Sequence, residues 1–496
     1  MKKLLAALVL SLTVFVGRAQ ECGTEPAPQY ILDALDRLNL PALVAARTED
    51  DTIIYVPIQM HMIRSDAGTA ALSEADLFTA ICTMNVRYTD AKIQFYITDQ
   101  IFYYNNSTIL NASDGNSISS LMSANNKPYV MNIYFTNLGQ RGLNGYAWYP
   151  NSGPGTGVRQ GGAVMSYSAV MNGATLSHET GHYLSLPHPF DGTSNNPLMG
   201  ERVTRNFNET PPRLPANCYN AGDRFCDTKA DKRGARWGCT YTPAAGDTDL
   251  NGDFFWPDSS LLMSYAGDAC RIRLTDEQMA ACRSTLQTPN DRGYLTFLPR
   301  PVQPSINSAP VLTLPANGAT GLHPNFTTFA WDPVPGATIY RLRALSNGVV
   351  VDLDTIIRGG QTSYFHGHNK LKANRSYQWE VTAYNETDFC GNPTSARSTF
   401  QTTTFTATSV DEGFFADLQV FPTLLERNGS IYLQGESLNG KWLQLELRNI
   451  TGQLLRSENL QLEGDAHFHT ELNTSGVYYL TIRHEGYRIV RKLVVQ

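Results

Sequence analysis

The chain has 496 residues, 42% of them hydrophobic and 17% charged, and carries a net charge of −6 at pH 7. That length exceeds one ordinary domain and predicts two to four, while the composition excludes a chain that stays disordered. The mild negative balance argues against a nucleic-acid binder.

Met1-Lys2-Lys3 supplies positive charge, Leu4 to Val16 an apolar run, and Gly17-Arg18-Ala19 a small-residue ending, so residues 1–19 read as a secretory signal peptide. The run is shorter than the roughly 20 residues a membrane span needs. Export makes disulfides expected for the eight cysteines. Cys218, Cys226, Cys239, Cys270 and Cys282 crowd into one irregular stretch, where bridges would substitute for a missing core; the pairing stays open.

Glu21-Cys22-Gly23-Thr24 and an amphipathic segment around Ile31, Leu32, Leu35 and Leu38 follow, and residues 20–50 read as a propeptide. Ile53 to Ile63 reads as a buried strand opening a domain over residues 51–300, with His61 a structural histidine on it. A helix from Ser73 to Tyr88 is capped by Ser73, with Leu77, Ile81, Met84 and Val86 on its apolar positions. Strands are expected at Ile93 to Ile97, Tyr129 to Phe135 and Gly162 to Val170. Gly142 to Pro150 is a strand ended by proline, which suits a sheet edge able to pair with an extended peptide.

His178-Glu-Thr-Gly-His182 then places two imidazoles one helical turn apart on one face, where they can bind one zinc ion. Glu179 stands where it could act as base on a zinc-bound water. His188 supplies a third ligand after a turn and leaves the fourth position open, which marks a catalytic site over a structural one. A thiolate is a good zinc ligand, so Cys22 reads as a latency switch for that open position; the alternative is a disulfide, with Cys82. Further on, Leu261-Leu-Met263-Ser-Tyr265 reads as a tight turn under the metal, Met263 forming its floor and Tyr265 offering a hydroxyl to a developing oxyanion. A helix from Thr275 to about Leu286 follows.

HETGHYLSLPH, LLMSYAGDACR with the TDEQM helix after it, and the early ECGT together resemble the metzincin zinc endopeptidases, specifically the pappalysin group in its cytophagalysin-like branch. The resemblance covers Cys22 to Leu298. It implies an α/β (α+β) catalytic domain, one catalytic zinc on His178, His182 and His188, Glu179 as general base, Met263 in the Met-turn, Tyr265 as transition-state stabiliser, and Cys22 as cysteine switch. It also implies a protein or peptide substrate and a precursor made latent. The chain departs at Ser185, where the family has glycine. A left-handed backbone is expected there, which costs serine about 1 kcal/mol. The rival reading is a catalytically impaired surface adhesin for host protein or glycan, against which an intact Glu179 argues.

Asp247-x-Asp249-x-Asn251-Gly252, closed by Asp258, has calcium-loop spacing. Asp stands where such loops end in bidentate Glu and no helix clearly precedes, so a surface turn is the leading reading and a structural Ca2+ the alternative. Calcium elsewhere in the domain is implied by the resemblance alone.

Pro299 to Pro304 is a linker. Residues 306–405 read as an all-β module resembling fibronectin type III, with Leu371 and Tyr377 spaced like a tyrosine corner. His366-x-His368 there reads as exposed strand or loop. Residues 413–496 read as a second all-β module resembling the C-terminal sorting domain of the type IX secretion system, with Phe421-Pro-Thr-Leu424 where the family continues Tyr-Pro-Asn-Pro. That resemblance implies contact with the type IX machinery, and secretion or outer-membrane display by a Bacteroidetes-type bacterium. A monomer is expected.

Overall fold

The computed structural model describes residues 20–50, 52–193, 200–232, 234–322, 324, 327–366, 371–403, 415, 417–435, 438–484 and 487–496. The signal peptide expected over 1–19 and His368 lie outside them. The chain divides into two units, one of Met1–Ser308, Pro335–Arg341 and Ala383–Pro393, the other of Ala309–Val334, Leu342–Thr382 and Thr394–Gln496.

The first unit opens with β1 (Gln20–Cys22), α1 (Gln29–Asp36) and α2 (Leu40–Glu49). The apolar stripe expected of the first helix is real: Ile31 and Leu35 are buried, as is Leu40 at the start of the second. Strand β2 (Ile54–Arg64) is buried along nearly its whole length, as a parallel strand covered on both faces must be. Ser73 caps α3 (Glu74–Arg87) through a reciprocal box with Asp76. Val86, placed on the apolar face by spacing, is instead 66% exposed, because the buried stripe ends at Met84.

Strands β3 (Ile93–Ile97) and β4 (Phe102–Asn105), helices α4 (Ser107–Leu110) and α5 (Asn116–Asn125), and strands β5 (Met131–Thr136), β6 (Leu143–Ala147) and β7 (Ala163–Ser166) lead to α6 (Thr175–Tyr183). After the long irregular stretch comes α7 (Asp276–Gln287). The sheet runs β1-β6-β7-β5-β2-β3, with β4 also on β2. All pairs are parallel except β6 with β7. Strand β6 would therefore be an edge but for β1. The run expected to be strand as far as Val170 stays extended only to Ser166 and then turns into 3-10 helix over Tyr167–Asn172.

Cys218 pairs with Cys226, and Cys239 with Cys270. Cys82 is bonded to Cys390 rather than to Cys22, and Cys282 stays a buried thiol. Within the same unit the Ile97 amide donates to the Glu386 carbonyl at 3.0 Å, covering the open side of β3.

In the second unit, a three-stranded sheet in the order Ser363–His366, Thr327–Trp331, Leu312–Leu314 accompanies a five-stranded one that includes Ile339–Ser346 and Ser376–Tyr384. Phe329 meets Trp379 edge-on at 5.1 Å in their core. The Tyr377 hydroxyl accepts the Lys372 amide at 2.7 Å and donates to Asp352, closing the expected corner. His366 is fully buried, contrary to its expected exposure, because its strand pairs with Thr327–Trp331 inside the module. A further pair of sheets, built on strands such as Trp442–Asn449 and Gly476–His484, buries Leu445, Leu480, Ile482 and Leu493. His467 and His469 alternate on Asp465–His469 around buried Phe468, as strand periodicity requires.

His61 is fully buried, stacked on Tyr134 at 4.1 Å, with its Nε2 3.0 Å from Asn132 Oδ1 and Nδ1 2.9 Å from Tyr104 Oη. Burial pulls its pKa down to about 4. The unfolded chain then binds a proton that the native chain refuses, so stability falls as pH drops from about 6.5 to about 4, by up to about 3 kcal/mol from this group. Urea unfolding at stepped pH should show a shallower acid loss in His61→Gln than in wild type; parallel slopes would refute the assignment.

Candidate active site

Helix α6 ends in the turn its sequence foreshadows. Ser185 adopts φ = 78°, the Leu186 amide donates to Gly181 O at 2.9 Å, and the Ser185 amide to His182 O at 3.0 Å. These two bonds form a Schellman cap, normally a glycine's position. Thr285 on α7 donates its hydroxyl to Ser185 Oγ at 3.0 Å, a bond glycine could not accept. The cap reverses the chain and delivers His188.

All three imidazoles are buried and fixed from behind. His178 Nδ1 lies 2.8 Å from Leu262 O and His182 Nδ1 2.7 Å from Leu186 O; carbonyls only accept, so each Nδ1 carries the proton and each Nε2 is a bare lone pair. His188 Nδ1 is 3.4 Å from Asp191 Oδ1. The Nε2 atoms converge, His182 being 3.2 Å from His178 and 3.0 Å from His188. Cys22 Sγ stands 3.5 Å from His182 Nε2, and the four donor atoms lie within 4.8 Å of one another. Tetrahedral zinc with Zn–N near 2.0–2.1 Å separates its nitrogens by about 3.3 Å. Lone pairs aimed at one another at this spacing repel unless a cation sits between them, so the donor set fits zinc. Burial holds the His178 pKa down to about 3 and that of His182 well below its ordinary value, keeping both rings neutral.

Glu179, one residue along the helix, is fully buried. Its Oε2 accepts the Thr24 hydroxyl at 2.9 Å and lies 3.5 Å from Cys22 Sγ; among the described residues Oε1 has no hydrogen-bond partner. Burial pushes its carboxyl up to about 8, a value suited to taking and returning a proton near neutrality. Burial and the Glu179 carboxylate together raise the Cys22 thiol.

Met263 is fully buried beneath α6. A Cβ on Gly181 would fall well inside contact distance of its Sδ, so the glycine of HETGH is what lets the Met-turn approach. The Tyr265 ring lies 4.9 Å from that of His188 and its hydroxyl donates to Cys22 O at 3.5 Å. Gly145 on β6 has the same character, since its Cβ would sit 3.0 Å from Glu179 Cγ.

Four supporting residues have a place in the site that the sequence reading did not assign. Tyr149 brings its hydroxyl within 3.2 Å of His182 Nδ1, and Asp191 backs His188 while accepting the Ala27 amide at 3.4 Å. Thr24 reaches Glu179 from the N-terminal segment. Arg271, fully buried, donates to Asp268 at 2.7 Å, to Ser264 O at 3.3 Å and to Leu262 O at 3.5 Å, so it braces the same carbonyl that holds His178 Nδ1. Thr24 and Arg271 do lie within the quoted motifs and Asp191 three residues beyond His188, the one signal available; Tyr149 has none.

The calcium-loop expectation is corrected. Thr248 and Phe254 bridge as a hairpin, and each acidic side chain has its own partners. Asp247 takes Tyr241, Ala244 N and Lys232; Asp249 takes Val203 N, Asn251 N and Asp253 N; Asn251 pairs with Leu214; Asp258 takes Ser260 and Arg273. The four do not share a cation position. A different acidic pair is buried nearby: Glu201 binds Arg205 through Oε1, Asp223 Oδ1 accepts Phe225 N and Thr228 Oγ1, and among the described residues neither second oxygen has a hydrogen-bond partner.

The family model described as Peptidase_M43, pregnancy-associated plasma protein-A, matches residues 116–287. "Extracellular metalloprotease 1" of Coccidioides posadasii is 29% identical over 220 residues, 41% of this chain and 75% of the relative. "Extracellular metalloprotease" of Arthroderma benhamiae is 26% identical over 183 residues, 34% of this chain and 65% of the relative, so the match spans just under two thirds of that protein. A crystal structure of chicken CNTN1 FN1–FN3 domains aligns at 15% identity and TM-score 0.17, over 39% of this chain and 68% of that one, too weakly to bear on the fold. The catalytic part of the chain is that of a metalloendopeptidase, similar to the M43 peptidases.

Gly181→Ala should cost about 1–3 kcal/mol in urea unfolding, because Met263 must move, and should weaken metal retention against a chromophoric chelator. Ser185→Gly should stay within about 1 kcal/mol of wild type, relief of the left-handed strain being offset by the lost Thr285 bond. A neutral Gly181→Ala would contradict the packing argument.

Proposed function

We propose that the protein is a secreted, zinc-dependent endopeptidase that hydrolyses internal peptide bonds and is made as a latent precursor. The observation that carries this is the convergence of three imidazole Nε2 atoms beside a buried, pKa-raised Glu179. Bound zinc would supply Lewis-acid polarisation of the scissile carbonyl and of the attacking water. Glu179 takes the proton of the attacking water and passes it to the leaving amine. Tyr265, once freed from Cys22 O, turns its hydroxyl toward the oxyanion. Strand β6 aligns an extended substrate through its backbone, as it now holds β1.

Latency is supported by Cys22 lying against the metal position with β1 on the substrate edge. The assigned roles are metal ligation for His178, His182 and His188, base for Glu179, oxyanion donor for Tyr265, Met-turn for Met263 and switch for Cys22. The domain reading is a signal peptide (1–19), propeptide (20–50), peptidase (51–300), fibronectin-like module (306–405) and type IX sorting module (413–496). The all-β character of the last two supports it, as does the corner at Tyr377 for the first of them. Secretion by a Bacteroidetes-type bacterium and a monomeric state belong to the same proposal. Among the described residues no helix is long and apolar enough to cross a membrane. The adhesin alternative draws no support from Ser185, whose strain is matched by the Thr285 bond.

The calcium implied by the resemblance is best supported at Glu201 and Asp223. Both are fully or almost fully buried, and burial raises both carboxyls, Asp223 to about 8. A hard cation would relieve that cost. Adding Ca2+ to chelator-treated protein should raise Tm in wild type and not in Asp223→Ala; an equal shift in both would exclude this site.

Purified protein freed of its N-terminal segment should cleave a denatured protein substrate, and both chelation and Glu179→Ala should abolish cleavage. Retained turnover in Glu179→Ala would sink the mechanism. Cys22→Ala should raise the activity of the uncut precursor; one as silent as wild type would refute the switch.

A further inference from the structure

We propose that the N-terminal segment silences the site twice, with Thr24 holding the catalytic base through its own hydroxyl while Cys22 faces the metal position. The proposal rests on the latent-precursor reading and adds a second lock that does not depend on metal.

Thr24 is almost fully buried. Its Oγ1 donates to Glu179 Oε2 at 2.9 Å and accepts from the Ala147 amide, also at 2.9 Å. A hydroxyl has one proton and two lone pairs, so both bonds are made at once and Thr24 bridges edge strand to base. The carboxylate oxygen it engages is the one beside Cys22 Sγ. Thr24 thus occupies the carboxylate oxygen that lies next to the metal-facing sulfur. Backbone geometry places the hydroxyl there: the Gly23 amide donates to Gly145 O at 2.8 Å, and a Cβ on Gly23 would fall 2.6 Å from Leu143 Cδ1. Glycine at 23 brings the segment close enough for the next side chain to reach Glu179. The Thr24 amide also donates to Cys22 Sγ at 3.3 Å, so the same residue orients the thiol. Cys22 and Thr24 point to the same side of a short extended segment, two residues apart, as strand periodicity demands.

Two locks predict graded release. Cys22→Ala removes the sulfur and leaves Glu179 held, so the precursor should remain well below the activity of the trimmed enzyme. Thr24→Val keeps the shape and removes the hydroxyl. It should raise precursor activity about tenfold, with Thr24→Ser restoring wild-type silence, and the double variant should exceed either single one. The second readout needs no activity. In metal-stripped precursor, hydrogen exchange should quicken across residues 20–28 in Thr24→Val, whereas Cys22→Ala, which removes the acceptor of the Thr24 amide, should quicken that one amide and little else. In a Glu179→Ala background, Thr24→Val should quicken exchange much less, because the partner is already gone; undiminished acceleration would assign Thr24 to strand pairing alone and overturn the proposal. So would Thr24→Val behaving as wild type in both readouts. Failure of the switch itself shows separately, as Cys22→Ala silence with an intact Thr24 effect.

Discussion

Everything at this site depends on turning a helix sharply enough to aim three imidazoles at one point. The Schellman cap at Ser185 does this with backbone bonds, and the carbonyl of Leu186 that the cap exposes is the one that holds His182 Nδ1. One turn of chain therefore fixes both the path to the third ligand and the tautomer of the second. The Met-turn repeats the logic from below, Leu262 O fixing His178 while Met263 packs where Gly181 leaves room. Two of the three imidazoles are set by main-chain atoms, which cannot swing away as side chains do; His188 alone leans on a side chain, Asp191.

The same economy governs the edge of the sheet. Strand β6 has one free side, and the N-terminal segment takes it in parallel register, with Cys22 opposite Gly145. Gly145 lies against Glu179, so whatever pairs there is delivered to the base. On the proposed reading a substrate and the N-terminal segment compete for the same backbone groups, and latency is then a matter of occupancy rather than of distorting the site.

Much of this was legible in the sequence for physical reasons. The three clustered histidines, Glu179 beside them and the helix caps are local, spaced by helical or turn geometry, and Ser185 announced a left-handed residue by standing where glycine belongs. What escaped were groups whose role comes from distant approach. Thr24 lies 155 residues from Glu179, and Arg271 93 residues from His178. At the calcium-like spacing the surface turn prevails over the cation site, because a hairpin with the same residues satisfies each carboxylate separately. Val86 and His366 failed for a related reason: periodicity gives a face, and only packing decides whether that face is covered.

The bond between Cys82 and Cys390 has a consequence for how the enzyme comes into being. The unit that carries the site is discontinuous in sequence, borrowing Ala383–Pro393 from beyond the linker. Synthesis must deliver nearly four fifths of the chain before its outermost parallel strand is covered and its crosslink closed. A recombinant fragment cut at the proline-rich linker would contain every ligand and still be an unfinished domain, with an odd thiol on α3 and a bare strand beside it.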